Sequence, residues 1–265
     1  MRPDYKNWMP KGMVLGFLAG AIAAAVLAIV FGCTPLLPAG VLKTVLTIVF
    51  TAAAVVLCGL TIWGFLMYRA FDYNGTRQMS RQIIEGVASY VDLPAGAKSL
   101  DVGCGSGALA IAVAKRNPKA EIIGIDRWGK EYASFSKKLC EQNSKAEGVA
   151  NTSFRQGDAT HLEFPDESFD AVTSNYVYHN IVGHDKQKLL LETLRVLKKG
   201  GTFAIHDLME PARYGDMEAF VRELKAQGCE DVRLIRTTDG SFMGKAEGTL
   251  LGLGGSTLLV GRKGK

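Results

Sequence analysis

From Gly12 to Tyr68 the chain carries one charged side chain, Lys43. A water-soluble domain of that length needs a charged exterior, so this stretch has to face something other than water. An apolar span runs from Gly12 to about Phe31, long enough at about 1.5 Å per residue to cross about 30 Å of hydrocarbon. A Pro/Gly turn, Cys33-Thr34-Pro35-Leu36-Leu37-Pro38-Ala39-Gly40, leads into a second span from about Val41 to Tyr68. The second exceeds the minimum length, which predicts tilt or an interfacial end. The pattern predicts a two-helix transmembrane hairpin over residues 1–68. A cleaved leader does not suit the first span, because a longer one follows with no soluble segment between them. A hairpin buried in a soluble core is the remaining alternative.

Arg2, Lys6 and Lys11 precede the first span, Arg69, Arg77 and Arg81 follow the second, and the turn between is uncharged. Basic residues stay on the cytoplasmic side, so both termini, and the domain that follows, are expected in the cytoplasm. Gly12, Gly16 and Gly20 fall four apart. Small residues at that spacing let helix backbones approach, either inside the hairpin or in a homodimer joined through the transmembrane helices.

From Arg69 onward the composition is that of a soluble domain, with 27 basic against 25 acidic residues. That balance has no electrostatic footprint for nucleic acid. Residues 1–68 carry a net +3 placed at the ends of the apolar region, where anionic lipid is the natural partner. The five cysteines are scattered without a CxxC pair, and the four histidines lack ligand spacing, His179 and His184 lying five apart. Zinc, thioredoxin-like and disulfide-scaffold readings therefore fail, and no metal is expected.

Residues 69–96 read as a polar joint and a leading helix, with Ile83, Ile84, Val87 and Val91 at helical spacing before Asp92-Leu93-Pro94-Ala95-Gly96. Strands and helices then alternate. Strands are expected at Ser99–Val102, Glu121–Ile125, Thr152–Arg155, Phe169–Ser174, Thr202–His206, Val232–Arg236 and Thr257–Val260. Helices are expected at Gly107–Lys115, Gly129–Ala146, Lys186–Leu197 and Asp216–Gln227. Such alternation builds right-handed βαβ units, hence an α/β, Rossmann-like, mostly parallel sheet over residues 97–265. No useful helix separates the last two strands, which should pair antiparallel at one edge. Gly240 to Gly255 reads as a flexible loop.

The run Leu100-Asp101-Val102-Gly103-Cys104-Gly105-Ser106-Gly107-Ala108-Leu109 follows a strand and opens a helix. Its glycines permit a tight turn and close approach of a ligand. Gly103, Gly105 and Ala108 also satisfy a dinucleotide fingerprint, which keeps a nicotinamide-dependent oxidoreductase open. Asp101 argues against a pyrophosphate there and for a cationic amino group, as in S-adenosylmethionine. Asp126 ends the next strand 19 positions after Gly107, where an acid accepts ribose hydroxyls. Asp158, in Gly157-Asp158-Ala159, can accept from an adenine amino group or cap a turn.

These segments, with Phe169-Asp170-Ala171-Val172 and Leu194-Arg195-Val196-Leu197-Lys198-Lys199-Gly200-Gly201, occur in the order seen in class I S-adenosylmethionine-dependent methyltransferases. Residues 75–265 resemble the small-molecule group that includes the ubiquinone/menaquinone-type C-methyltransferases. The resemblance implies a seven-stranded sheet with its last strand antiparallel. It implies that Asp101, Gly103 and Gly105 hold the methionine part, Asp126 the ribose, and Arg127, Asp158 and Ala159 the adenine. Cys104 and Asn175, beside the turn and after the fourth strand, complete the expected cofactor set. Trp128 either flanks the adenine or simply packs.

Methyl transfer from a sulfonium is an in-line displacement with a neutral leaving group, so alignment and water exclusion matter most. The acceptor should lie beyond the fourth strand, at Ser174-Asn175-Tyr176-Val177-Tyr178-His179-Asn180. His179 is the first candidate base and Tyr176 the second, with plain packing as the alternative for the histidine. His206-Asp207 faces the same rim, Asp207 as a cap. The segment lacks the Asn/Asp-Pro-Pro-Tyr run used on nucleic-acid and protein amides. The expectation is a membrane-anchored methyltransferase acting on a small, lipophilic acceptor. Its rivals are a non-catalytic S-adenosylmethionine-binding membrane module, the oxidoreductase, and an aminopropyltransferase, for which the acidic cluster is missing.

Overall fold

A computed structural model describes residues 2–129 and 134–264. The chain forms two compact units: Asn7–Ser80, and the residues up to Lys6 together with the chain from Arg81 on.

The first unit is the helical hairpin, α1 (Lys11–Cys33) and α2 (Val41–Phe71). Both helices are long and apolar enough to cross a membrane, with mean hydropathies of 2.7 and 2.5. Of the glycines spaced four apart, only Gly20 meets the other helix: a Cβ there would lie 3.2 Å from Leu57 Cδ1, while Gly12 and Gly16 face open space. Two glycines outside that stripe make further close approaches, Gly32 to Thr47 at 3.1 Å and Gly64 to Val14 at 3.3 Å. Phe31 stacks on Phe50 with centroids 5.5 Å apart.

The second unit contains β1 (Lys98–Val102), α4 (Ala108–Arg116), β2 (Glu121–Asp126), α5 (Lys137–Ala146), β3 (Thr152–Gln156) and β4 (Phe169–Asn175). It continues with α6 (Lys186–Arg195), β5 (Leu197–Leu208), α7 (Pro211–Tyr214), α8 (Met217–Ala226), β6 (Glu230–Arg236), α9 (Lys245–Leu250) and β7 (Ser256–Arg262). The leading helix α3 spans Met79–Ala88, so the expected helix ends a few residues early, in a tighter turn closed by Tyr90 N–H on Val87 O. Of the helix expected over Gly129–Ala146, only Lys137–Ala146 forms, as α5; residues 134–136 are not helical, Ser136 being the cap, and residues 130–133 lie outside the described part.

The sheet has seven strands in the order β3-β2-β1-β4-β5-β7-β6. β1 to β5 run parallel, and β7 is antiparallel to both β5 and β6. The last two strands pair as expected, but β7 is inserted between β5 and β6, which leaves β6 at the edge. All seven strands fall where they are expected; the central β1 and β4 are buried along nearly their whole length because they are covered on both faces, while the edge strands β3 and β6 are half exposed. The caps are equally local: Ser136 accepts from Leu139 N–H, Asp185 from Gln187 N–H, and Asp216 from Ala219 N–H.

The segment 240–255 is not a flexible loop. It contains α9, and it buries Phe242, Met243, Leu251 and Leu253. Apolar residues mixed among glycines hide that packing from a periodicity reading. The strand order reverses between β1 and β4, and ligands of open α/β sheets bind outside the carboxyl ends of strands at such a switch point.

Candidate active site

At that switch point, the chain leaving β1 turns through Gly103, Gly105 and Gly107, all at positive φ of +71°, +55° and +82°. Gly103 N–H and Cys104 N–H both donate to Ile125 O, at 2.8 and 2.9 Å. Gly105 N–H donates to Asp126 Oδ2 at 2.9 Å. Gly103 is glycine for a second reason, since a Cβ would lie 2.3 Å from Val177 Cγ2. The space is filled by the loop that follows β4, so the glycine turn and that loop are packed against each other. Burial drives the Cys104 thiol well above its usual range, so it is a neutral apolar group there.

Asp101 does not present a bare carboxylate to this turn. Its Oδ1 accepts from Thr173 Oγ1 at 2.9 Å and its Oδ2 from Ala110 N–H at 3.1 Å. Thr173 is its direct register partner on β4. The group is buried, and burial raises its pKa to about 7, the two hydrogen bonds opposing that rise. From the sequence, Asp101 is expected to face a cationic amino group as a carboxylate. In the fold it is a buried acid that ties β1 to β4 and to the start of α4, and a cationic group brought close would draw its pKa back down.

Asp126 ends β2 with both oxygens held by backbone: Oδ2 by Gly105 and Oδ1 by Trp128 N–H at 2.7 Å. Trp128 takes a left-handed φ of +43° and returns its indole Nε1–H to Gly105 O at 3.0 Å. The tryptophan thus belongs to the turn itself, a role its sequence position does not announce. Asp158 forms an Asx turn, Oδ1 accepting from Thr160 N–H and Thr160 Oγ1, both at 2.8 Å. Thr160 N–H is the main cause of its lowered pKa, with burial opposing and Arg127 contributing. Ala159 is half-buried against the main core. Asn175 Oδ1 pairs with His206 Nδ1 at 2.8 Å. His206 is fully buried, and burial pushes its pKa down to about 3, so it is a neutral structural imidazole.

Beyond β4, Tyr176 adopts a φ of +55°, an uncommon conformation for a bulky residue, and its hydroxyl shares a proton with Ser256 Oγ at 2.6 Å. Burial raises the phenol above its usual range, which makes Tyr176 a hydrogen-bonding group rather than a base at neutral pH. His179 sits in a single 3₁₀ turn, Tyr178–Asn180. Its Nδ1 lies 2.5 Å from Asp207 Oδ1, and its backbone N–H donates to Asp207 Oδ2 at 3.1 Å. Asp207 also accepts from Tyr214 Oη at 2.8 Å and Leu208 N–H at 2.7 Å. Burial raises the Asp207 pKa, but His179, Tyr214 and Leu208 outweigh it and hold the carboxyl below its ordinary value. An ionised Asp207 can only accept, so His179 Nδ1–H donates to it, and in the neutral ring the lone pair is then on Nε2. Asp207 and Tyr214 are the residues that sequence reading missed as partners of His179; the His206-Asp207 pair at the rim was the available signal.

The comparisons with known proteins fall on the same segments. A family model described as a methyltransferase domain matches residues 93–250. The chain belongs to this family. The sheet unit is an S-adenosylmethionine-dependent methyltransferase domain, and its seven strands are the fold that the resemblance implied. A demethylmenaquinone methyltransferase of Geobacillus kaustophilus is 34% identical over 132 residues, 49% of this chain and 53% of the relative. A demethylmenaquinone methyltransferase of Lactobacillus johnsonii is 38% identical over 118 residues, 44% of this chain and 46% of the relative. The chain therefore spans about half the length of the curated relatives it matches. The crystal structure of the [4+2]-cyclase SpnF shares the fold, with a TM-score of 0.54 and 21% identity over 73% of this chain and 85% of that one. The glycine turn follows β1, Asp126 ends β2 and Asp158 follows β3. Among the described residues a Cβ at Gly105 would meet only Phe135, at 3.8 Å, which suits the close approach of a ligand to the turn.

Proposed function

We propose that this methyltransferase domain, anchored by its hairpin with both termini in the cytoplasm, methylates a lipophilic acceptor at the membrane surface. The first acceptor to consider is a hydroquinone of the demethylmenaquinone type, the substrate class named by the two relatives. The observation that carries the reading is the His179–Asp207 pair, 2.5 Å apart at the rim beside the cofactor turn. It gives the domain an imidazole with a free Nε2 lone pair where the acceptor of this sheet type binds. The hairpin supports the membrane part, because a tethered domain samples a thin layer in which a lipophilic acceptor is concentrated.

In this reading Asp126 holds the ribose and Asp158 with Ala159 the adenine, while Asp101 shapes the turn that takes the methionine end. The sulfonium supplies the methyl group. His179 Nε2 accepts the hydroxyl proton of the hydroquinone as its ring carbon takes the methyl group and the C–S bond of the sulfonium breaks; the ring C–H proton then passes to solvent and the imidazolium returns its proton to the ring oxygen, which restores the aromatic hydroquinone. Asp207 stabilises the imidazolium so formed, and the Tyr176 ring, 6.1 Å from that of His179, shields the proton transfer from water.

The test is S-adenosylhomocysteine release by the full chain in phospholipid vesicles, with a prenylated 1,4-naphthohydroquinone set against phospholipids, thiols and simple phenols. The hydroquinone is expected to turn over. His179→Asn is expected to lower kcat by about 10²–10⁴-fold, the usual worth of a positioned base, with S-adenosylhomocysteine affinity unchanged. Turnover confined to thiols or lipids would reject the acceptor class, and a His179→Asn enzyme with full kcat would reject the base.

A further inference from the structure

The residues ahead of the first apolar helix do not trail from the sheet unit. They are docked on it. Asp4 N–H donates to Asn143 Oδ1 at 2.7 Å, and Asn143 Nδ2 returns a bond to Asp4 O at 3.0 Å. Tyr5 is buried at 4% exposure, and its hydroxyl donates to Glu147 Oε1 at 3.0 Å. Lys115 at the end of α4 holds the other oxygen of Glu147 at 2.6 Å. Residues 2–6 thus form a strap across the end of α5, five positions short of α1.

Asn143 is also buried, at 2% exposure, and its second Nδ2 hydrogen donates to Ser106 O at 2.9 Å. Ser106 sits between Gly105 and Gly107, in the cofactor turn. Two glycines at positive φ give that stretch no shape of its own, so outside bonds must hold it. α5 supplies two of them, from Asn143 to Ser106 O and from the Cys140 thiol to Gly105 O at 3.2 Å. Only the Asn143 bond continues outward. With both amide hydrogens and the amide oxygen engaged, its side chain is fixed by strap and turn together, and loss of the strap frees it to rotate.

We propose that Asn143 is a positioning residue through which the segment entering the membrane hairpin holds the cofactor turn in its binding shape. A docked strap orders the turn before S-adenosylmethionine arrives, so less ordering is left for binding to supply. The strap lies outside the family match at 93–250, which makes this coupling a property of the anchored chain.

The test uses the full chain in detergent micelles with S-adenosylhomocysteine as the ligand, read by calorimetry and by hydrogen exchange of residues 103–110. Deletion of residues 2–5, which removes the strap outright, is expected to weaken binding about tenfold, or about 1.4 kcal/mol, and to speed exchange in the turn. Asn143→Ala is expected to do the same, and the combined variant to be no weaker than the weaker single one, because both break one chain of contacts. The proposal is overturned if the deleted chain binds within twofold of the parent with unchanged exchange, or if the two losses multiply. Should Asn143→Ala fail to fold, the deletion decides alone.

Discussion

The contact between Gly103 and Val177 offers a sharp test, because it joins the cofactor turn to the acceptor loop through one missing methyl group. A Cβ at Gly103 would lie 2.3, 2.6 and 3.0 Å from the three side-chain carbons of Val177, against about 3.5–4.0 Å for ordinary carbon contact. Gly103→Ala therefore carries two costs. Holding an alanine at φ +71° costs about 1–2 kcal/mol. Forcing the overlap open costs about 1–3 kcal/mol more. Reduced entropy of the unfolded chain returns about 0.4–1 kcal/mol. Val177→Ala removes the two nearest carbons and, at a half-buried site, is expected to cost about 1 kcal/mol alone. In the double variant the two closest overlaps are gone, and the backbone cost remains together with the 3.0 Å approach to the Cβ of residue 177. A coupling energy of about 1–3 kcal/mol in the favourable direction is therefore expected. Urea titration of the full chain in micelles, followed by tryptophan fluorescence, measures it, since the Trp128 indole hangs on the same turn. Additive single-variant losses would refute the packing argument.

Asp101 and Asp126 supply two further expectations. Because the folded pKa of Asp101, about 7, exceeds the ordinary aspartate value of 3.8, the native state holds a proton that the unfolded chain has lost in that window. Its contribution is complete below about pH 4 and disappears as pH rises through 7, up to a ceiling of about 4 kcal/mol. Asp101→Asn, whose amide can serve both Thr173 and Ala110, is therefore expected to gain stability relative to the parent between pH 5 and pH 8 in parallel denaturation series. A difference independent of pH would show that the carboxyl does not titrate there. Asp126→Ala is expected to weaken S-adenosylhomocysteine binding at least tenfold, about 1.4 kcal/mol, by calorimetry. Unchanged affinity would take Asp126 out of the ribose role.

The features legible in the sequence are those whose cause is local. The two apolar helices follow from about 20 or more uncharged residues in a row. The strands follow from short apolar runs, and α6 and α8 start at Asp185 and Asp216, because capping is settled within three residues; α5, expected from Gly129, starts only at its Ser136 cap. The glycine turn and Asp126 are recognisable for the same reason: spacing along a strand–turn–helix unit fixes where each lies. The hairpin glycines mark the limit. Their spacing suggests a face, but only Gly20 of the three meets the other helix, since the rotation of a helix is set by its partner.

What the sequence alone determined is the class of the molecule: an apolar hairpin, an alternating α/β unit, and a nucleotide-type turn backed by acids at successive strand ends. What tertiary structure decided is the state and partner of each polar group. Asp101 is a buried acid because β4 places Thr173 opposite it, 72 residues away. His179 has a defined tautomer because β5 brings Asp207 to its Nδ1 from 28 residues on. Asp4 reaches the cofactor turn through Asn143 across 139 residues. Charge state depends on solvent exposure and on neighbours within a few ångströms, and a linear chain records neither until it is folded.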